Sequence, residues 1–183
     1  MILALCDFET TGLDRERDQP IEVALLFCEW PCLTIVGAYE SLIWVDNFDE
    51  SHFRALTIHK IIPQDLLDGG KPIDCVRKEV LQACKRYGRK RIVLCSDNAQ
   101  FEHVFMRKLM AGGGADEGEE VGPDPWPFHY CVWDTSILLE GTGIGDPVPA
   151  HRAMADVGLL HQALIAAKHK IKDHWIEEAR RSR

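Results

Sequence analysis

A single α/β domain built on a mixed sheet is the fold the sequence predicts. Three apolar runs with β character open the chain, at 2–8, 21–28 and 33–45. Helical and strand patterns then alternate toward the C-terminus. The 183 residues suffice for one domain with a proper core and fall short of two.

Taken in order, the first three runs are rich in Val, Ile, Leu and aromatics, with Pro31 between the second and third. They predict three consecutive strands, antiparallel to one another. Residues 50–70 predict helical turns and loop, ending at Gly69-Gly70. Pro72 can open a helix that runs to about Tyr87, because proline suits the first helical turn. Ile92 to Cys95 predicts a short buried strand, and a helix follows from Asn98 to about Met110. Residues 111–127 are rich in Gly, acids and Pro, which predicts a surface loop. Phe128 to Trp133 is the fifth strand, Thr135 to Glu140 a short helix, and 141–150 a Gly/Pro loop. Gly141, Gly143 and Gly145 make no GxGxxG, so no dinucleotide site is expected. The last long helix spans about Arg152 to His169. No internal repeat or linker interrupts the chain. Residues 1–172 are expected to form the single domain, with 173–183 a helical or frayed tail.

Composition narrows the function classes. Apolar residues make up 46% and charged residues 27%, ordinary for a globular protein. No apolar run approaches the ~20 residues of a membrane helix. Met1 to Cys6 meets Asp7 too soon for a signal peptide, so a cytoplasmic location without membrane association is expected. The seven cysteines are odd in number and contain no CxxC, which predicts reduced thiols rather than disulfides or zinc. A net charge of −8 argues against holding nucleic acid by bulk electrostatics, but not against meeting it locally. Lys85 to Arg91 and Lys168 to the C-terminus are expected to be solvated basic stretches.

Two carboxylates at the end of the first strand carry the chemistry. Asp7 and Glu9 are two apart, so both point to one face. Like charges placed together are costly unless a cation lies between them, and hard oxygen ligands suit Mg²⁺ or Mn²⁺. The turn Thr10-Thr11-Gly12 after them can offer backbone N–H groups and hydroxyls to a ligand. Asp156 shares an otherwise apolar helical stripe with Ala153, Leu160, Ala163, Leu164 and Ala167. A buried carboxylate needs a partner or a metal. His151, five residues earlier, reaches the same site only from the loop before the helix, which Pro147 and Pro149 favour. It is then a reasonable general base for a metal-bound water. Asp97 and Gln100 have the form of an N-cap and its partner. Asn98, Phe101, Glu102, Phe105 and Leu109 then share one face, placing a further carboxylate in an apolar stripe. For Glu102 a salt bridge and a metal remain equal alternatives. Asp134 is expected to cap the helix that starts at Thr135.

DFETTGL at Asp7 to Leu13 and HRAMAD at His151 to Asp156 resemble the first and third motifs of the DEDDh family, 3′–5′ exonucleases with a histidine base. The resemblance covers essentially the whole chain and implies a ribonuclease H-like fold with a five-stranded mixed sheet flanked by helices. It implies that Asp7, Glu9 and Asp156 hold the main metal, that Asp7 bridges to a second, and that His151 deprotonates the attacking water. It implies two Mg²⁺ or Mn²⁺ ions and a nucleic-acid partner, DNA or RNA, with a free 3′ end. Thr10, Thr11, Gly12 and Leu13 would sit against the 3′-terminal nucleotide, with Asn98 and Phe101 beside it. The second family motif, roughly H-N-A-x-F-D, reads Asp97, Asn98, Ala99, Gln100, Phe101, Glu102 here. Glu102 therefore stands where the family has Asp, one methylene longer. Related enzymes include homodimers, so a homodimer is a further expectation. A binding module of this fold with attenuated catalysis is the main competing reading, and a metal-dependent phosphatase a weaker one.

Overall fold

The computed structural model describes residues 1–46, 50–87, 91–112, 126–144 and 149–181, without the side chains of 50–52 and 171–181. Five strands form one sheet: β1 (Ile2–Thr10), β2 (Pro20–Glu29), β3 (Thr34–Leu42), β4 (Ile92–Ser96) and β5 (Trp133–Asp134). Their order is β3-β2-β1-β4-β5. The first three pair antiparallel, as their closeness in sequence favours, while β4 and β5 run parallel to β1. The helices are α1 (Glu50–His59), α2 (Pro63–Gly69), α3 (Ile73–Lys85), α4 (Ala99–Ala111), α5 (Ser136–Gly141) and α6 (Ala153–Arg181).

Side-chain alternation along β1 divides the core in two. Ile2, Ala4, Cys6 and Phe8 join Val76, Val80, Phe105 and Leu109 on the face covered by α3 and α4. Leu3 and Leu5 join Val157, Leu160 and Leu164 on the face covered by α6. A third, small cluster of Ile21, Val45, Ile61 and Leu66 holds α2 and the α1–α2 turn against the start of β2. The mixed sheet between helices is thus the expected fold, and β1 is its central strand.

Three expected elements differ in detail. The 50–70 region forms two helices, broken where Lys60 takes a left-handed conformation with φ 64° and restarted at Pro63. The long third run ends as a strand at Leu42, beyond which only Ile43 bridges to Lys71. The fifth strand shrinks from 128–133 to Trp133–Asp134. Phe128 is drawn into the core, and His129 Nδ1 accepts a bond from the Cys131 N–H, which turns the backbone away from a continuous ladder. Most of the expected 111–127 loop, together with Gly145 and Pro147, lies outside the described residues. The backbone of α6 continues past His169 to Arg181.

The sheet opens where the chemistry was expected. The β1–β4 ladder stops at Leu5 and Cys95, so Asp7 and Glu9 extend past the end of β4. A register shift between Glu9 and Thr10 adds a local kink there. Phe105, fully buried, packs against Phe8 and Phe101 directly behind this opening. Phe105→Ala should therefore destabilise the protein by about 3–5 kcal/mol in a denaturant titration. A cost under about 1 kcal/mol, typical of surface positions, would contradict this packing.

Candidate active site

Continuing the alternation of β1, Asp7 and Glu9 follow Leu3 and Leu5 onto the α6 face. There they meet Asp156 from the first turn of α6, and carboxylate oxygens of all three lie within 4.8 Å of one another. The charges acting on Asp7 are those of Glu9, Asp156, Asp97 and Glu22, all negative. Burial first, and then those neighbours, push its carboxyl well above the usual range. Burial, Glu22 and Asp156 push Glu9 up to about 7, against a smaller opposing effect of Arg152. Asp156 accepts the Ala150 and Arg152 N–H groups, and the three half-buried carboxylates together fit a divalent cation with hard oxygen ligands.

Glu102 approaches from α4. Its side chain is only 3% exposed, and Oε2 has no hydrogen-bond partner among the described residues. Burial, Asp7 and Asp97 raise its carboxyl well above the usual range, against one hydrogen bond from the Phe8 backbone N–H. No salt bridge to Glu102 occurs among the described residues, so the ion-pair alternative from sequence finds no partner there. Glu102 stands apart from the close trio but within its electrostatic reach.

Asp97 does not cap α4 as expected. The cap position falls to Asn98, whose side chain makes no capping bond, and Asp97 lies one residue outside the helix. Its charge acts on Asp7 and Glu102 instead. Asp134 does take up a capping contact: Oδ1 accepts the Ser136 N–H at 3.0 Å, although the helix starts one residue later than expected.

His151 lies outside α6, in the preceding loop, with φ 57°. It is half-buried and shares with Glu9 a cleft of about 510 Å³. Thr10, Gly12, Leu13 and Phe101 line the same cleft, and α1 supplies Arg54, Ala55 and Ile58 to its opposite wall. Leu13 is 83% exposed at the lip. Asn98 is exposed at the start of α4 and does not line the cleft.

The threonine hydroxyls donate within the turn. Thr10 Oγ1 donates to Gly12 O at 2.6 Å, and Thr11 Oγ1 donates to Asp18 Oδ1 at 2.9 Å. Asp18 also accepts the Asp14 N–H. A Cβ on Gly12 would come within 2.5 Å of Asp18 Oδ2, so only glycine lets that carboxylate close the loop. From α4, Lys108 Nζ donates to the carbonyls of Glu16 and Asp18 and ties the loop to that helix.

Sequence reasoning missed Glu22 and Arg152. Glu22 stands opposite Glu9 in the β1–β2 ladder and is 1% exposed. Its carboxylate pairs with Arg152 at 2.7 Å and accepts the Ala153 N–H at 2.9 Å, at the start of α6. The available signal was a lone acid inside the apolar run of β2.

No protein-family model matches the chain. In sequence it is similar to ribonuclease T of Buchnera aphidicola subsp. Acyrthosiphon pisum, 25% identical over 177 residues, covering 86% of this chain and 72% of the relative. In structure it is similar to E. coli exonuclease I in complex with a dT13 oligonucleotide, with a TM-score of 0.69 at 15% identity over 97% of this chain. Exonuclease I from Methylocaldum szegediense gives 0.67 at 18% identity over 90% of this chain. The chain spans 43% and 40% of those two structures. The fold is therefore that of these nucleases, and the likeness to ribonuclease T agrees with the resemblance carried by the Asp7 and His151 motifs.

The raised carboxyl of Glu9 has a definite consequence for metal-free protein. Between its ordinary 4.5 and about 7, the folded state holds a proton that the unfolded state has lost. Its stabilising contribution is full at lower pH and disappears as pH rises through about 7. In chelator, Glu9→Gln should match wild type in Tm at pH 4 and exceed it at pH 8. A gap that closes with rising pH would reverse the assigned sign.

Proposed function

We propose that this chain, similar to ribonuclease T and built on the exonuclease I fold, is a metal-dependent 3′–5′ exonuclease. It would hydrolyse terminal phosphodiester bonds of DNA or RNA and release nucleoside 5′-monophosphates. The single observation that carries the proposal is the convergence of Asp7, Glu9 and Asp156 beside a cleft that also holds His151.

Asp7, Glu9 and Asp156 would hold the principal Mg²⁺ or Mn²⁺, and Asp7 with Glu102 would face a second. Bound there, the ions would supply Lewis-acid activation of water and neutralise charge on the phosphate. His151, on the cleft wall, would take the proton from the attacking water. Leu13 and Phe101 offer apolar surface to the terminal base from one side, and Ala55 and Ile58 from the other. A cleft with this apolar surface suits an unpaired terminal nucleotide. Burying these carboxylates together also explains how a chain of net charge −8 could accept a polyanion, because the bound cations would reverse the local field.

No helix among the described residues is long and apolar enough to cross a membrane. A cytoplasmic location and a homodimer stay part of the proposal, as does one exonuclease domain over 1–172 with 173–183 as its tail.

The deciding assay follows a 5′-labelled single-stranded oligonucleotide with Mn²⁺ or Mg²⁺, beside a circular substrate. Stepwise shortening with mononucleotide release, and an intact circle, is the expected result. No release by folded protein favours a binding module, and cleavage of the circle favours a different hydrolase. Within the active enzyme, His151→Ala should lower turnover by ~10²–10⁴-fold while Mn²⁺ still binds. Asp7→Asn should lower it roughly a thousandfold or more. Unchanged turnover in either variant would remove that residue from its assigned role.

A further inference from the structure

His151 has φ 57°, a left-handed backbone conformation uncommon for any residue that carries a side chain. Such a conformation persists only where the surroundings over-determine it. The contacts that do so lie on both sides. Before it, the Ala150 N–H donates to Asp156 Oδ1. After it, the Arg152 N–H donates to Asp156 Oδ2 at 3.3 Å. The Arg152 guanidinium grips Glu22, with Nε 3.2 Å from both carboxylate oxygens and Nη2 2.7 Å from Oε1. The Ala153 N–H completes the set with a 2.9 Å bond to Glu22 Oε2.

Glu22 is an odd residue to find here. It is buried on the central pair of strands, beside three other carboxylates, and does not belong to the close trio. Its carboxylate is paired with the Arg152 guanidinium and lies outside the group whose oxygens converge, so its place is not that of a further ligand. What it does hold is the first turn of α6.

We propose that Glu22, acting with Arg152, is a positioning residue that pins the His151 turn so that the imidazole faces the carboxylate cluster. The pair spans from β2 to α6 and fixes the residue immediately after the histidine. Asp156 fixes the residue immediately before it. His151 is therefore clamped between one acid that belongs to the trio and one that does not. This rests on His151 acting as the base in the proposed hydrolysis.

Arg152→Gln is the gentler probe, because the Arg152 side chain is 53% exposed while that of Glu22 is 1%. Glu22→Gln serves as the second variant. Three readouts separate positioning from other roles. Amide exchange over 149–156 should quicken in Arg152→Gln, with the rest of the chain unchanged. Turnover should fall by about tenfold to hundredfold with little change in KM. Mn²⁺ affinity should not fall, since removing a nearby cation does not weaken cation binding. In a His151→Ala background, Arg152→Gln should cost nothing further, because the group it positions is gone.

Unaltered exchange over 149–156 overturns the clamp, whether or not the protein has activity. A rise in KM alone would make Arg152 a phosphate contact instead. Losses that multiply with His151→Ala would show that the pair acts through another group. If wild type releases no nucleotides while the exchange result holds, the exonuclease reading fails and the clamp stands as structure without that role.

Discussion

The mutual repulsion of carboxylates gathered at the end of β1 is the constraint on which the site depends. Asp7, Glu9 and Asp156 lie close enough to share one cation. Asp97, Glu22 and Glu102 add further negative charge around them. Burial and this repulsion raise the carboxyls of Asp7, Glu9 and Glu102 above the usual range, that of Glu9 to about 7. Such an arrangement lowers stability in an otherwise well-packed domain, which is the pattern that marks a candidate functional site.

The surrounding fold is arranged so that this strain does not disperse. β1 is central and paired on both sides, which fixes the direction of every side chain along it. Its apolar row of Leu3 and Leu5 is anchored under α6 before the same row turns acidic. α6 then carries Asp156 to the cluster with Val157, Leu160 and Leu164 locked in the core behind it. Glu22 and Arg152 form the charged joint between the sheet and that helix. The Thr11–Asp18 turn and Lys108 brace the opposite lip of the cleft. Rigid elements thus supply the carboxylates, while loops supply His151 and Leu13.

Much of this was legible from residue order. The two-residue spacing of Asp7 and Glu9 set their common face, and the helical stripe exposed Asp156 as an acid among apolar neighbours. The position of His151 outside the helix followed from geometry, since a five-residue spacing on one helix would separate it from Asp156. What escaped were features that depend on long-range pairing. Glu22 meets Glu9 only through the β1–β2 register, and Arg152 meets Glu22 across 130 residues of chain. Asp97 looked like a cap because local patterns favour that reading, yet α4 begins one residue later and leaves it facing the cluster's charge. The bond from Thr11 Oγ1 to Asp18 was not legible either, because the turn itself brings that carboxylate back. The fifth strand was overestimated because its composition is apolar, while pairing along it is cut short by local bonding at His129.

If the acidic cluster holds a cation, loading it displaces protons, that of the raised Glu9 carboxyl first. Calorimetric titration with Mn²⁺ near pH 7, repeated in buffers of different ionisation enthalpy, counts those protons directly. The account predicts binding accompanied by net proton release, abolished by the triple substitution of Asp7, Glu9 and Asp156 to their amides. Binding without proton release, or equal binding by the triple variant, would contradict it.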